Sequence, residues 1–246
     1  RGHSVTSVHN LIYSSPKFRH DVLKRIGILI PSSNTVLEPL SASMFSNIES
    51  TVHFSRLRVI DVTLNQESYA QFSMEKQIAA AKLLCDAGVD SLVWGGTSAS
   101  WLGAEHDAKF CGLLESATGI PSGSCTLEMN RLFSAHNAKT FGLVTPYTSD
   151  VQKRIIKNYR SMGFTCLAEQ HYGGTISSEF ATIEEDLIAQ MVRDVAQKKP
   201  DIILIMCTNM RGARVSEELS HDVGIPVFDS AIVTLQAGLR LANGLA

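Results

Sequence analysis

The chain carries the same series of motifs twice, and this internal repeat is the feature that most constrains its fold. The first copy reads RIGILIPSSNTVLEP, DSLVWGGTSAS and GIPSGSCTLEMNRL, and the second reads TFGLVTPYTSDVQK, DIILIMCTNMRG and GIPVFDSAIVTLQAGLRL. Pro31 precedes Pro146 by 115 positions, and Gly96 precedes Cys207 by 111 positions. Because the offset drifts so little, we expect the two halves to be two copies of one structural unit.

Short apolar runs alternate with amphipathic stretches in both halves, which predicts an α/β fold with parallel sheets and right-handed crossovers. Several of the runs are continuously apolar, as is typical of strands buried on both faces. The predicted strands are Ile26–Ile30, Val52–Val59, Ser91–Trp94, Thr140–Val144, Thr165–Ala168 and Ile202–Met206. The predicted helices are Ser73–Ala87, Ala104–Ala117, Asp150–Met162 and Ile183–Lys198. We expect glycines to end helices or precede strands at Gly88, Gly119, Gly163 and Gly224.

Composition excludes several function classes. The 246 residues suit one large or two small domains, and a net charge of −2 without a basic stripe argues against a nucleic-acid partner. No apolar run reaches the roughly 20 residues of a membrane span. The five scattered cysteines contain no C-x-x-C pair, so we expect a reducing, cytoplasmic location and no metal site. They are Cys85, Cys111, Cys125, Cys166 and Cys207.

The N-terminal residues 1–24 differ from the rest of the chain. They are polar, contain Asp21 as the one acidic residue and lack the apolar core of a secretory signal. We expect an extension outside the repeated fold, and an organelle transit segment is the alternative interpretation.

Polar residues interrupt the apolar pattern where predicted strands end, in the loops Pro31–Leu37, Gly95–Ser100, Pro146–Asp150 and Cys207–Gly212. Ligands of parallel α/β sheets bind at the carboxyl ends of the strands, so these loops are the candidate site. In Gly95–Ser100, glycines allow backbone N–H groups to face an anion, and hydroxyls add donors. The loop matches neither a Walker motif nor G-x-G-x-x-G, and an ordinary turn with serine caps is the alternative.

Three further side chains in these loops suggest chemistry. Asn34 can donate a hydrogen bond to a carboxylate, although it can equally serve as a helix N-cap. Tyr147 can donate to a developing oxyanion, or simply pack half-buried. Cys207 follows a strand and lies beside loop N–H groups, which predicts a lowered pKa and a role as nucleophile or acid. Its alternative role is that of a small buried residue.

Four motifs in order, RIGILIPSSNTVLEP, GGTSAS, LVTPYTSDVQ and IMCTNMRG, resemble the aspartate/glutamate racemase superfamily. Within it, the chain is most similar to the maleate isomerase and arylmalonate decarboxylase branch, over about residues 25–244. The resemblance implies two similar flavodoxin-like lobes with parallel four-stranded sheets, related by a pseudo-twofold axis, with the site in the cleft between them. It implies lobe 1 at 25–126 plus 232–246, lobe 2 at 127–231, and no metal or organic cofactor.

The resemblance also assigns roles to individual residues. Racemases and maleate isomerases carry one cysteine in each lobe. The cysteine of the second lobe corresponds to Cys207, whereas that of the first lobe corresponds to Gly96 and is therefore absent. Asn34 matches the isomerase Pro-Ser-Ser-Asn loop, where it helps to hold a carboxylate, and Tyr147 matches the tyrosine near that carboxylate.

The residues that follow Gly96 match the decarboxylase pattern instead. There, the hydroxyls corresponding to Thr97 and Ser98 act with the tyrosine and with backbone amides, here that of Thr208, to bind a carboxylate and stabilise an enediolate. A single cysteine then protonates the carbanion on one face.

These matches predict a one-cysteine enzyme that acts on a small dicarboxylate, with decarboxylation of a substituted malonate as the preferred reaction. Racemisation through two bases lacks a base on the side of Gly96. A maleate isomerase-like or racemase-like enzyme that recruits another acid is one alternative. A catalytically degenerate carboxylate-binding protein is the other. Because relatives often assemble into dimers or larger forms, we also expect a homo-oligomer.

Overall fold

The computed structural model describes residues 23–46 and 50–245, which form two four-stranded parallel sheets flanked by helices. The strands are β1 (Lys24–Pro31), β2 (Ser50–Leu57), β3 (Ser91–Trp94), β4 (Ser122–Ser124), β5 (Thr140–Thr145), β6 (Thr165–His171), β7 (Ile202–Ile205) and β8 (Val227–Asp229). The first sheet has the order β2-β1-β3-β4 and the second the order β6-β5-β7-β8. The repeated motifs therefore correspond to a repeated topology, and the prediction of two flavodoxin-like lobes is confirmed. The two sheets define the first and the second lobe.

The helices connect and cover the strands. They are α1 (Leu37–Met44), α2 (Gln66–Ala70), α3 (Met74–Asp86), α4 (Ala99–Leu102), α5 (Ala104–Thr118), α6 (Cys125–Ala135), α7 (Ser149–Ser161), α8 (Glu185–Ala196), α9 (Ala213–Val223) and α10 (Ser230–Ala242). A 3₁₀ turn spans Ser177–Thr182. Residues 1–22, and with them nearly all of the predicted N-terminal extension, lie outside the described part of the chain.

The central strands lie in the core because helices cover both faces of each sheet. Every residue of β3 and of β7 is buried, which explains why these segments read as unbroken apolar runs. The predicted helix ends are confirmed as well. Gly88, Gly119, Gly163 and Gly224 have φ angles of 63°, 70°, 92° and 67°, in the left-handed region that glycine adopts without steric cost.

Each lobe lends one helix to the other. Phe133 of α6 packs edge-on against Phe141 of β5, with ring centroids 5.6 Å apart, although α6 follows a strand of the first sheet. Conversely, α10 follows the last strand of the second sheet and packs on β1 and β3 of the first. Gly238 permits this approach, because a Cβ there would lie 2.4 Å from Cγ2 of Ile26. The exchange places the carboxyl ends of both sheets against each other. The predicted lobe boundaries at 126 and 231 stay a prediction.

The described residues contain neither a membrane-spanning helix nor a cluster of metal-ligating side chains. No helix within residues 23–46 and 50–245 is long and apolar enough to cross a bilayer. In the same residues, no group of three or more His, Cys, Asp and Glu side chains is placed to hold a metal ion.

Candidate active site

The loops at the carboxyl ends of β1, β3, β5 and β7 meet around a small cavity of about 30 Å³, the volume of roughly one water molecule. All of the predicted site residues except Asn34 line it: Gly96, Thr97, Ser98, Tyr147, Cys207 and Thr208. No Lys, Arg, His, Asp or Glu of the described residues contributes to the lining. An anion in this cavity would therefore be held by neutral donors.

Three of these side chains form a connected row across the cleft. The Thr97 hydroxyl lies 2.8 Å from the Tyr147 hydroxyl, which in turn is close enough to the Cys207 sulfur to lower the pKa of that thiol. All three residues are almost completely buried. The row joins a loop of the first lobe to two loops of the second, so the repeat places residues from both halves in one site.

The protonation of Cys207 corrects one expectation. Burial raises the pKa of the Cys207 thiol to about 11, although the Tyr147 hydroxyl and the backbone N–H groups of Asn209 and Met210 act in the opposite direction. The predicted lowering is therefore wrong, because removal from water outweighs the nearby N–H donors. At neutral pH, Cys207 carries its proton and is suited to act as an acid.

On the first-lobe side of the cavity, an indole ring lies against Gly96, the position that corresponds to Cys207 in the repeat. A Cβ built on Gly96 would lie 2.6 Å from Cζ2 and 2.7 Å from Cε2 of Trp94. Real Cβ atoms do not approach other atoms this closely, so residue 96 must be glycine while the indole stays in place. Trp94 itself is fully buried and lines the cavity.

Several donors at the site remain free. The Ser98 hydroxyl accepts a hydrogen bond from the Trp94 indole N–H at 3.1 Å, which leaves its own proton for another acceptor. The backbone N–H groups of Thr97, Ser98 and Thr208 have no acceptor among the residues that the structure describes. The Thr208 hydroxyl, by contrast, is committed, because it donates to the carbonyl of Gly95 at 2.8 Å.

Asn34 lies behind this site and does not line the cavity. Its amide nitrogen donates to the carbonyl of Thr208 at 3.1 Å, and its oxygen accepts from the N–H groups of Val36 and Leu37. The side chain is completely buried and bonded at both ends. Asn34 thus caps the start of α1 and joins the two lobes, and its role in holding a substrate carboxylate stays a prediction.

The cavity is covered by two segments, one from each lobe. Val59, Val62 and Phe72 come from the connection after β2, and Ser177 and Phe180 come from the 3₁₀ turn. The segments pair with each other through an isolated bridge between Asp61 and Ile176 and through a 2.9 Å bond from the Ser177 N–H to the carbonyl of Ile60. A dicarboxylate is several times larger than one water molecule, so these segments must part to admit it.

A buried carboxyl group lies behind Cys207. The N–H of Cys207 donates to the Ser230 hydroxyl at 3.0 Å, and the neighbouring Asp229 caps α10 by accepting from Ala231 and Ile232. Burial raises the pKa of Asp229 to about 7, and its Oδ2 atom has no hydrogen-bond partner among the described residues. Its charge raises the pKa of Cys207, which again favours the protonated thiol.

Sequence reasoning missed six polar or aromatic residues of the lining: Phe72, Trp94, Trp101, Ser177, Phe180 and Asn209. Asn209 follows Thr208, and its amide group is bonded to Thr35, Ser33 and Ser177. The sequence contains a signal for Trp94, Trp101 and Asn209, since the two tryptophans adjoin the loop Gly95–Ser100 and Asn209 lies within the loop Cys207–Gly212. Which of them faces the cavity depends on side-chain directions that the sequence does not specify.

Comparisons with known proteins identify the family of the chain. The family model for arylmalonate decarboxylase matches residues 26–244. Maleate isomerase from Nocardia farcinica is 23% identical over 228 residues, which cover 89% of this chain and 90% of that protein. A maleate isomerase from Geobacillus stearothermophilus is 23% identical over 233 residues, covering 89% of this chain and 92% of that protein.

Solved structures show the same fold. An arylmalonate decarboxylase variant, in which a glycine is replaced by cysteine and a cysteine by serine, superposes in its liganded form with a TM-score of 0.81. It is 21% identical, and the match covers 91% of this chain and 94% of that one. The prediction of a lyase or an isomerase is confirmed at the level of the family. The match over nearly all of the described residues shows that this chain belongs to the arylmalonate decarboxylase family.

Proposed function

We propose that the protein is a cofactor-independent carbon-acid enzyme that decarboxylates a small substituted malonate through an enediolate. The observation that carries the proposal is that one protonated thiol, Cys207, lines the cavity, whereas the corresponding position of the first half is Gly96, beside the Trp94 indole. An acid on one face alone suits a reaction in which one proton is delivered once.

The donors on the Thr97 side would hold the carboxylate that the substrate retains. These donors are the hydroxyls of Thr97, Ser98 and Tyr147 and the free N–H groups of Thr97, Ser98 and Thr208. Charge accumulates on this carboxylate in the enediolate, and losing one oriented donor to such an oxyanion typically costs about 3 kcal/mol. Neutral donors suffice because several of them converge on the same small volume.

The other carboxylate would face the apolar part of the lining, which includes Val59, Val62 and Phe180. An ionised carboxylate is poorly solvated there, whereas neutral CO₂ is not, so its surroundings favour departure. The electron pair of the broken C–C bond moves into the enediolate. The Cys207 Sγ–H then gives its proton to the α-carbon, and the thiolate recovers a proton from solvent. Each turnover consumes one proton.

An isomerase-like or racemase-like reaction is the second candidate. It is favoured by the Pro-Ser-Ser-Asn loop at Asn34 and by the similarity to proteins named maleate isomerase. Either reaction requires a second reactive group, whereas the position that corresponds to Cys207 in the first half is Gly96. The predicted homo-oligomer and cytoplasmic location stay predictions.

A panel of substrates in D₂O tests the proposal. Substituted malonates, maleate and both enantiomers of aspartate and glutamate are incubated with the protein, and CO₂ release and product deuteration are followed. We expect CO₂ from a malonate, with deuterium at the new C–H bond, and no maleate isomerisation or amino-acid exchange. Activity on maleate or amino acids without CO₂ from any malonate would favour the second candidate.

Two cysteine variants make the test specific. Cys207→Ala should lose decarboxylation, whereas Cys111→Ala should retain it, because Cys111 is a buried thiol on α5 outside the cavity. Full activity of Cys207→Ala would contradict the mechanism. Binding of dicarboxylates without turnover of any of them would indicate a degenerate carboxylate-binding protein instead.

A further inference from the structure

We propose that Trp94 sets the size limit of the substrate, because its indole ring fills the first-lobe side of the cleft and restricts the site to dicarboxylates with a small substituent. This inference rests on the proposed function and names its substrate class: malonates that carry a short alkyl group rather than an aryl ring. It concerns a side chain that does not belong to the carboxylate-binding row.

The position of the Trp94 ring is defined by its contact with Gly96. The Trp94 indole lies against Gly96, with Cζ2 and Cε2 at 2.6 and 2.7 Å from the point where a Cβ would be. Trp94 and Gly96 line the same cavity as Cys207. The indole therefore occupies part of the first-lobe side of the site, next to the Ser98 hydroxyl to which it is bonded.

The contacts of Trp94 hold its indole ring in place. Trp94 is the last residue of β3 and pairs with Leu29 on one side and Ser124 on the other. Its N–H donates to Ser98 at 3.1 Å, and the ring of Phe72 packs against it edge-on at 6.3 Å between centroids. Strand pairing fixes the backbone of Trp94 and the hydrogen bond to Ser98 orients its ring, and neither depends on Phe72.

Trp94 does not belong to the two segments that cover the site. Phe72 and Val62 lie on the segment that must part to admit a ligand, so the room that they occupy changes when the site opens. Trp94 belongs to a central strand of the sheet and stays in place. Trp101 and Phe180 also line the cavity of about 30 Å³, so a substituent that extends towards the indole meets a ring that does not move with the cover.

Ligand binding with matched variants tests the proposal independently of turnover. Dissociation constants for methylmalonate and phenylmalonate are measured by calorimetry in Cys207→Ser protein, with residue 94 as Trp, Phe or Leu. We expect methylmalonate to bind more tightly than phenylmalonate when Trp94 is present. The preference should fall at least about tenfold with Trp94→Leu and by a smaller factor with Trp94→Phe.

Two binding outcomes overturn the proposal. One is equal affinity for both malonates in the presence of Trp94, and the other is an unchanged preference in folded Trp94→Leu or Trp94→Phe protein. If none of these malonates binds, the size limit is likewise refuted. Failure of the proposed function is distinct, because it appears as a retained size preference in binding without CO₂ release by protein that retains Cys207.

A stability cycle checks the contact without any ligand. Gly96→Ala is introduced beside Trp94 and beside Trp94→Leu, and the melting temperatures of all four proteins are compared. We expect Gly96→Ala to lower the melting temperature strongly beside the indole and much less beside leucine. Additive effects of the two substitutions would overturn the assigned contact and with it the size limit.

Discussion

At the residue scale, the Cys207 thiol experiences two opposing influences. Burial disfavours the thiolate, whereas the Tyr147 hydroxyl and two backbone N–H groups favour it, and the result is a pKa of about 11. The same donors can stabilise a thiolate once the proton has left for the substrate. A group with this balance keeps its proton until a strongly basic carbanion forms beside it.

The first prediction concerns the reactivity of this thiol. Because the thiolate is the form that reacts, alkylation of Cys207 by iodoacetamide should accelerate by about tenfold for each pH unit between about pH 7 and pH 10, without a plateau. Tyr147→Phe should slow it at every pH in this range, since the tyrosine hydroxyl lowers the pKa of Cys207. Mass spectrometry of the peptide containing Cys207 measures the rate.

The control for this measurement is protein in which the half-buried Cys85 and Cys166 are replaced by serine, so that their modification does not perturb the fold. A rate that levels off below about pH 8 would mean that the thiol ionises near neutrality. That result would contradict its assignment as a protonated acid.

The sequence alone predicts part of the candidate site. The contrast between Gly96 and Cys207 is legible in the repeat, and six of the predicted residues do line one cavity. The pKa of Cys207 was misjudged because a sequence shows neighbouring donors but not the depth of burial. The role of Trp94 was missed because it depends on which way the side chains of β3 point.

At the element scale, the start of α10 links the helix exchange to the site. Asp229 caps this helix through Oδ1, while Ser230 accepts the N–H of Cys207. The cap therefore fixes both a helix that packs on the first sheet and the backbone that carries the thiol. The cap also leaves the Asp229 carboxyl group buried, and burial raises the pKa of this group to about 7.

The second prediction follows from that raised pKa. The unfolded chain loses the Asp229 proton near pH 4, whereas the folded protein retains it to about pH 7. The folded state thus binds more protons over this window, so stability from this group falls as the pH rises through it. Asp229→Asn keeps an acceptor for the cap and cannot ionise. The melting temperature of this variant, relative to that of the parent protein at the same pH, should therefore rise from pH 5 to pH 8.

A third variant separates the charge from the cap. Asp229→Ala removes the acceptor, so the loss of the cap should lower the unfolding free energy by about 1 kcal/mol at every pH. Like Asp229→Asn, this variant also removes the pH-dependent penalty of the buried charge. A difference between Asp229→Asn and the parent protein that stays constant from pH 5 to pH 8 would show that the carboxyl titrates normally.

The elements differ in how far the sequence predicts them. The long apolar strands and the helices ended by glycines were located within a few residues. The edge strands β4 and β8 were not predicted as strands, because each has three residues and β4 reads Ser-Gly-Ser. They form through pairing with β3 and β7, a tertiary effect. The predicted strand Val52–Val59 ends instead at Leu57, and Val59 enters the cover of the site.

At the scale of the whole molecule, the two lobes are joined at the same loops that form the site. Asn34 bonds to Thr208, and the Asn209 side chain accepts from the N–H of Thr35. The polar seam therefore holds the Cys207 loop at a fixed distance from the first lobe. The repeat predicts that the loops meet, whereas the way in which asparagines fill the seam depends on the packed structure.

The third prediction tests this seam. Asn34→Ala removes the cap of α1 and leaves buried groups of Thr208, Val36 and Leu37 without partners, which should cost about 1–3 kcal/mol of unfolding free energy. Thr35→Ala is the matched control, since the Thr35 side chain is exposed and should tolerate the change. Urea unfolding measures both. Unchanged stability of Asn34→Ala together with a raised KM would identify Asn34 as a substrate contact instead.

The central claim is that Cys207 alone delivers a proton to one face of an enediolate. The most direct test uses 2-ethyl-2-methylmalonate, whose decarboxylation product, 2-methylbutanoate, is chiral, with the enantiomers resolved by chiral gas chromatography. The account predicts CO₂ release, one enantiomer in large excess, and loss of both with Cys207→Ala. Racemic product, or the same enantiomeric excess from Cys207→Ala, would contradict it.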